Sequence, residues 1–137
     1  MSTPDVGAFG VAIVGSVLLL RFAALGSAVP EVGPVIGVWA VARALAAIVL
    51  TTGTHARRDG GLASAFASTP RLAMWLVFAS TAIVGSLLAG PAAVACAAAA
   101  CAVVLLGVRR VGGYTGDVLG AAIVVGETVG LLVVALP

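Results

Sequence analysis

Apolar residues run along this chain in five long stretches, at about residues 7–28, 35–52, 72–89, 92–108 and 117–136, and the polar residues gather in short clusters between them. Apolar runs of about 18 or more residues, separated by Gly, Pro and Arg clusters, predict helices that each cross a bilayer. The expected fold is therefore all-α: a polytopic membrane helix bundle of about five transmembrane helices, with residues 1–137 forming a single integral membrane domain. The polar breaks sharpen the boundaries. Pro4 next to Thr3 suits a helix start with Thr3 as cap. Pro30-Glu31-Val32-Gly33-Pro34 predicts a tight turn, because proline excludes helical geometry at the residue before it and lacks a donor. Gly90-Pro91 predicts a second, abrupt turn. Between residues 54 and 71 a longer polar connection contains Leu62, Ala65 and Phe66, spaced for a short amphipathic helix on the membrane surface.

Composition agrees with the pattern. The chain is 62% hydrophobic and 9% charged, and all seven of its basic residues are arginines. That is far from a soluble domain of average composition, and no nucleic-acid partner is expected. Met1 to Asp5 lacks the basic start of a cleavable signal peptide, and the first apolar run is too long for one. The formal charge of +2 says little; its placement says more. With five spans, Arg57, Arg58, Arg71, Arg109 and Arg110 all fall on the side of the N-terminus, and the opposite turns carry no basic residue. The positive-inside rule then puts the N-terminus and the loops at 54–71 and 109–117 in the cytoplasm, and the C-terminus outside it. The predicted location is the cell inner (plasma) membrane. Met74, Trp75 and Phe78, close to Arg71, suit an interfacial anchor.

Candidate chemistry concentrates at Gly112-Gly113-Tyr114-Thr115-Gly116-Asp117. Glycines let backbone N–H groups approach an anion closely, and the start of the following helix adds unpaired N–H groups and a positive dipole end. Such a loop can cradle phosphate through Gly112, Gly113, Thr115 and Gly116. Asp117 either caps the helix or binds a divalent cation that accompanies the phosphate. Glu127 lies ten residues further on, about 15 Å along a helix, near the middle of a bilayer core about 30 Å thick. A carboxylate at that depth costs a few kcal/mol and faces protein or water.

Arg43 sits near the centre of the second run and needs an anion, either Glu127 or a substrate phosphate. Arg21, in the far half of the first run, has a stem long enough to snorkel towards the surface and Glu31. Arg57 and Arg58 suit an anionic substrate and equally suit a topology signal. His55 is the chain's one histidine and has no nearby cysteine, so no zinc site is expected. Cys96 and Cys101, five apart on one helix, read as small packing residues and not as a disulfide. Small residues predict close helix contacts: Ala40, Ala42, Ala44, Ala46 and Ala47 in the second run, and Gly116, Gly120, Gly126 and Gly130 in the fifth.

The run Arg109-Arg110-Val111-Gly112-Gly113-Tyr114-Thr115-Gly116-Asp117-Val118-Leu119-Gly120-Ala121-Ala122, followed by Glu127, resembles the C-terminal signature of the cobalamin synthase family, the adenosylcobinamide-GDP ribazoletransferases. Val6-Gly7-Ala8-Phe9-Gly10, Ala40-Val41-Ala42-Arg43 and Gly60-Gly61-Leu62 resemble earlier segments of that family, so the likeness covers nearly the whole chain. It implies a transferase of cobalamin biosynthesis that joins a nucleotide-activated corrinoid, adenosylcobinamide-GDP, to α-ribazole or its 5′-phosphate and releases GMP, with Mg2+ as cofactor. It implies Asp117 as metal ligand, Gly113, Thr115 and Gly116 at the phosphates, Arg43 opposite developing charge, and Glu127 supporting the metal or orienting Arg43. Family members are longer and carry an upstream acidic motif of the Asp-Gly-Leu-Ala-Asp type; some have a carboxylate where this chain has Val124. The resemblance therefore implies a partial chain, inactive alone, that partners an upstream half or another copy of itself. Two other classes compete with the enzyme. One is a non-catalytic bundle, either a remnant or a scaffold subunit. The other is a small ion-coupled transporter, since an intramembrane Glu–Arg pair suits coupling.

Overall fold

The structure is a computed structural model and describes residues 7–28, 32–52 and 71–136. Five helices make it up: α1 (Ala8–Ala28), α2 (Val32–Thr52), α3 (Arg71–Ala89), α4 (Pro91–Val111) and α5 (Gly116–Val134). All five are long and apolar enough to cross a membrane, and the described residues contain no strand. Each apolar run has thus become one helix, because a bilayer offers no water to backbone groups and a helix satisfies them within the segment.

Two boundaries differ from the sequence reading. Val32, Gly33 and Pro34 belong to the first turn of α2, not to the turn before it. Proline costs nothing there, since first-turn N–H groups have no acceptor within the helix and its fixed φ is already helical. At the other end of the molecule, α4 continues past residue 108 through Arg109 and Arg110 to Val111. Gly112 stops it in the left-handed conformation at φ 77°, with its N–H donated to the Val108 carbonyl. The arginines therefore lie in the last helical turn, where cations meet the negative dipole end.

The helices pack chiefly as α2 on α3 and α4 on α5, and α2 joins the two pairs. The centre is small and dense: Val38, Cys96 and Leu131 are fully buried. A Cβ added at Gly37 would lie 2.6 Å from the Gly85 carbonyl oxygen, so α2 and α3 touch backbone to backbone. In the same way a Cβ on Gly126 would meet Cys96 and Ala100, and one on Gly130 would meet Val38 and Cys96. Without a hydrophobic drive between helices in lipid, such close approach is what holds a bundle together. Gly116 and Gly120, expected to form a similar face, look onto open space. They lie nearer the helix start, on a side that no described helix covers. Cys96 packs as expected, whereas Cys101 is exposed; both are free thiols. α1 is the most loosely held helix. Ala24 is its one buried side chain among the described residues, and it leans mainly on α5.

Candidate functional site

The candidate site has two parts, a glycine loop at one end of the bundle, called the mouth below, and a charged cluster inside the bundle. The Tyr114 hydroxyl donates to the Leu50 carbonyl at 3.1 Å. Leu50 is in the last turn of α2, where carbonyls lack helical partners, so buried Tyr114 serves as an anchor that ties the glycine loop to the end of α2. The C-termini of α2 and α4 and the N-terminus of α5 consequently share one end of the bundle.

Within the loop, Thr115 is the N-cap of α5, and its hydroxyl oxygen accepts from the Val118 N–H at 3.3 Å. Capping therefore falls to Thr115, which leaves Asp117 as an exposed carboxylate in the first turn. Gly116 and Asp117 occupy the first two helical positions, whose N–H groups have no intrahelical acceptor. The Thr115 O–H proton also remains to be donated outward. Gly113 is buried, and the Gly112 N–H is committed to Val108. Of the four residues expected to cradle phosphate, Gly116 and Thr115 have donors to offer, while Gly112 serves as a helix stop. No group of three or more metal-ligating side chains occurs among the described residues. A single carboxylate still suits magnesium, which keeps several waters and takes much of its coordination from substrate phosphates.

Inside the bundle Glu127 is the buried anion, with its side chain 3% exposed. Arg43 of α2 is hydrogen-bonded and ion-paired to its Oε1, and Arg21 of α1 donates from Nη2 to its Oε2 at 2.7 Å. Arg43 also donates to the Trp39 carbonyl at 3.2 Å. The expected Arg43–Glu127 pair is thus present. The expectation for Arg21 is not: its guanidinium turns inward to Glu127 and away from the surface, while Glu31 lies outside the described residues. The reason is visible in the helix register. Arg21 is about 20 Å along α1 and Glu127 about 16 Å along α5, so the two groups meet at nearly one depth. A carboxylate has two oxygens and accepts a donor on each. Comparing depths across all spans would have found this partner. Beside the cluster, the Thr128 hydroxyl returns to the Val124 carbonyl at 2.7 Å and stays out of it.

Arg57, Arg58, His55, the surface helix expected around Leu62 to Phe66, and the Thr3–Pro4 helix start lie outside the described residues.

Five helices long and apolar enough to cross a membrane, with a two-arginine, one-glutamate cluster among them, define a polytopic membrane protein with an ion-pair cluster inside its bundle. More particularly, the chain belongs to the cobalamin-5-phosphate synthase family, whose sequence model matches residues 1–135. It is 39% identical over 149 aligned residues to an adenosylcobinamide-GDP ribazoletransferase of Pseudomonas savastanoi pv. phaseolicola (strain 1448A / Race 6). That alignment covers 99% of this chain and 58% of the relative, so the chain spans little more than half of the relative's length. No solved structure matches it.

Proposed function

We propose that this chain supplies the C-terminal, glycine-loop portion of an adenosylcobinamide-GDP ribazoletransferase in the inner membrane, with its mouth facing the cytoplasm. The observation that carries this reading is family membership over residues 1–135 together with an open helix N-terminus bearing Asp117 at the mouth. In the reaction a ribose hydroxyl oxygen of α-ribazole, or of its 5′-phosphate, forms a bond to the phosphorus nearer the cobinamide. The bond from that phosphorus to GMP breaks, and the hydroxyl proton is lost. Phosphoryl transfer of this kind depends mainly on positioning and charge neutralisation.

The Gly116 and Asp117 N–H groups and the Thr115 hydroxyl receive diphosphate oxygens at the positive end of α5. Asp117 is the residue that would hold a magnesium ion, whose contribution is to neutralise diphosphate charge. Arg43 and Glu127 act as positioning residues: their ion pair locks α5 against α2, and the Tyr114 anchor sets the loop on the same two helices. Arg109 and Arg110 at the end of α4 draw anionic substrates to this face.

Asp117 is the one carboxylate at the mouth among the described residues, and one is the lower end of what a magnesium diphosphate site uses; we assign a second carboxylate to another segment, either an upstream portion or a partner chain. Vesicles holding residues 1–137 alone, given Mg2+, adenosylcobinamide-GDP and α-ribazole, should release no GMP above background; adding a separately expressed upstream portion should restore release. Absence of GMP release from the combined halves would contradict the functional reading. Release by residues 1–137 alone would contradict the division of ligands.

A further inference from the structure

The charged cluster does not balance. Two guanidiniums surround one carboxylate, leaving a formal charge of +1 at mid-membrane depth. The surplus has a definite location, because the Arg43 side chain is 60% exposed while that of Arg21 is 20% exposed. Both bonds from Arg43 leave from Nη1, so Nη2 and Nε have no partner among the described residues. Arg43 also ends a stripe. Val32, Ile36, Trp39 and Arg43, spaced four, three and four apart, lie on one face of α2, and all are exposed. α1, the next helix in sequence, makes few contacts with α2 and does not cover it. An arginine at the bilayer centre faces protein or water and not acyl chains, because its exposure to hydrocarbon costs several kcal/mol.

We propose that this face of α2 receives a transmembrane helix carrying one carboxylate at mid-membrane depth, which takes the open side of Arg43 and brings the cluster to neutrality. Charge complementarity selects this occupant. A second copy of the chain is a poor fit, because its only carboxylate deep within the described spans is Glu127, already engaged by its own two arginines. A lipid phosphate sits at the headgroup level, about 15 Å from the bilayer centre. The inference stands on charge and exposure and does not depend on the transfer reaction.

The test uses the full 137-residue chain, labelled at exposed Cys101, in phosphatidylcholine vesicles. The probes are two synthetic Leu-Ala transmembrane peptides that differ only in a central Glu or Gln, and association is read by energy transfer. The Glu peptide should bind at least tenfold more tightly than the Gln peptide. Arg43→Leu should remove that preference. So should Trp39→Glu, which leaves the cluster intact and supplies a carboxylate at the favourable i−4 position to Arg43, whereas Trp39→Leu should retain it. Equal binding of the two peptides to the unaltered chain overturns the proposal. So does a preference that survives both Arg43→Leu and Trp39→Glu. Binding that instead tracks added phosphatidylglycerol also overturns it, and assigns the open side of Arg43 to a lipid phosphate.

Discussion

Replacing Glu127 with Leu removes the one anion between two cations. Arg21 loses a 2.7 Å partner while its side chain is only 20% exposed, and Arg43 loses its partner while keeping an open side. Removing one member of a buried ion pair costs about 3–5 kcal/mol, because the remaining charge is left uncompensated. The exposed Arg43 contributes less than a full buried charge, so the loss is assigned mainly to Arg21, at about 3 kcal/mol in all. The damage should begin at α1, which buries only Ala24 among its described side chains and has no other ion pair in the described structure. Replacing Arg21, Arg43 and Glu127 together with Leu should return stability to within about 1 kcal/mol of the original, since no charge is then stranded in the membrane. The assay is reversible unfolding in mixed dodecyl maltoside and dodecyl sulfate micelles, followed by Trp39 and Trp75 fluorescence. If Glu127→Leu costs less than about 1 kcal/mol, or if the triple replacement costs the sum of the single ones, the three side chains are not one electrostatic unit.

Two further expectations concern packing and orientation. Gly130→Ala would set a Cβ 2.7 Å from Val38 and 3.0 Å from Cys96, and should destabilise by about 1–3 kcal/mol in the same micelle titration. Gly120→Ala meets open space and should be neutral or stabilising by up to about 1 kcal/mol; equal effects at the two glycines would contradict the helix contacts. A phosphatase reporter fused after Pro137 should be active outside the cytoplasm, and one inserted near Gly60 should be silent. Activity at both points would refute the five-span orientation.

The parts of this structure legible in the sequence are those governed by one segment at a time. Five apolar runs became five helices because run length and the bilayer's lack of water decide the matter locally. Arg43 and Glu127 could be paired because each is an isolated charge near the middle of its own span, where few partners exist. The helix rotations that bring Gly37 onto Gly85 and turn Gly126 and Gly130 inward, but Gly120 outward, could not be read, since four-residue spacing is the same on every face. Arg21 was assigned to the nearest carboxylate in sequence, whereas the shared depth of α1 and α5 selected Glu127. At the mouth, the glycine run correctly marked a helix stop and a helix start. It did not show that Gly112 would spend its N–H on closing α4, or that Thr115 would take the cap and free Asp117.

The central claim is that Asp117 meets the substrate's metal-bound diphosphate at the mouth of α5, and metal rescue tests it most directly. With the chain and the proposed, separately expressed upstream portion together in vesicles, Asp117→Cys should lose at least about tenfold of the magnesium-supported GMP release, since a thiolate is a poor ligand for a hard cation. Replacing magnesium with manganese or cadmium should restore part of that release in Asp117→Cys but not in Asp117→Ala. Full magnesium-supported turnover by Asp117→Cys, or a loss that no softer metal relieves in Asp117→Cys compared with Asp117→Ala, would contradict the assignment of Asp117 to the metal.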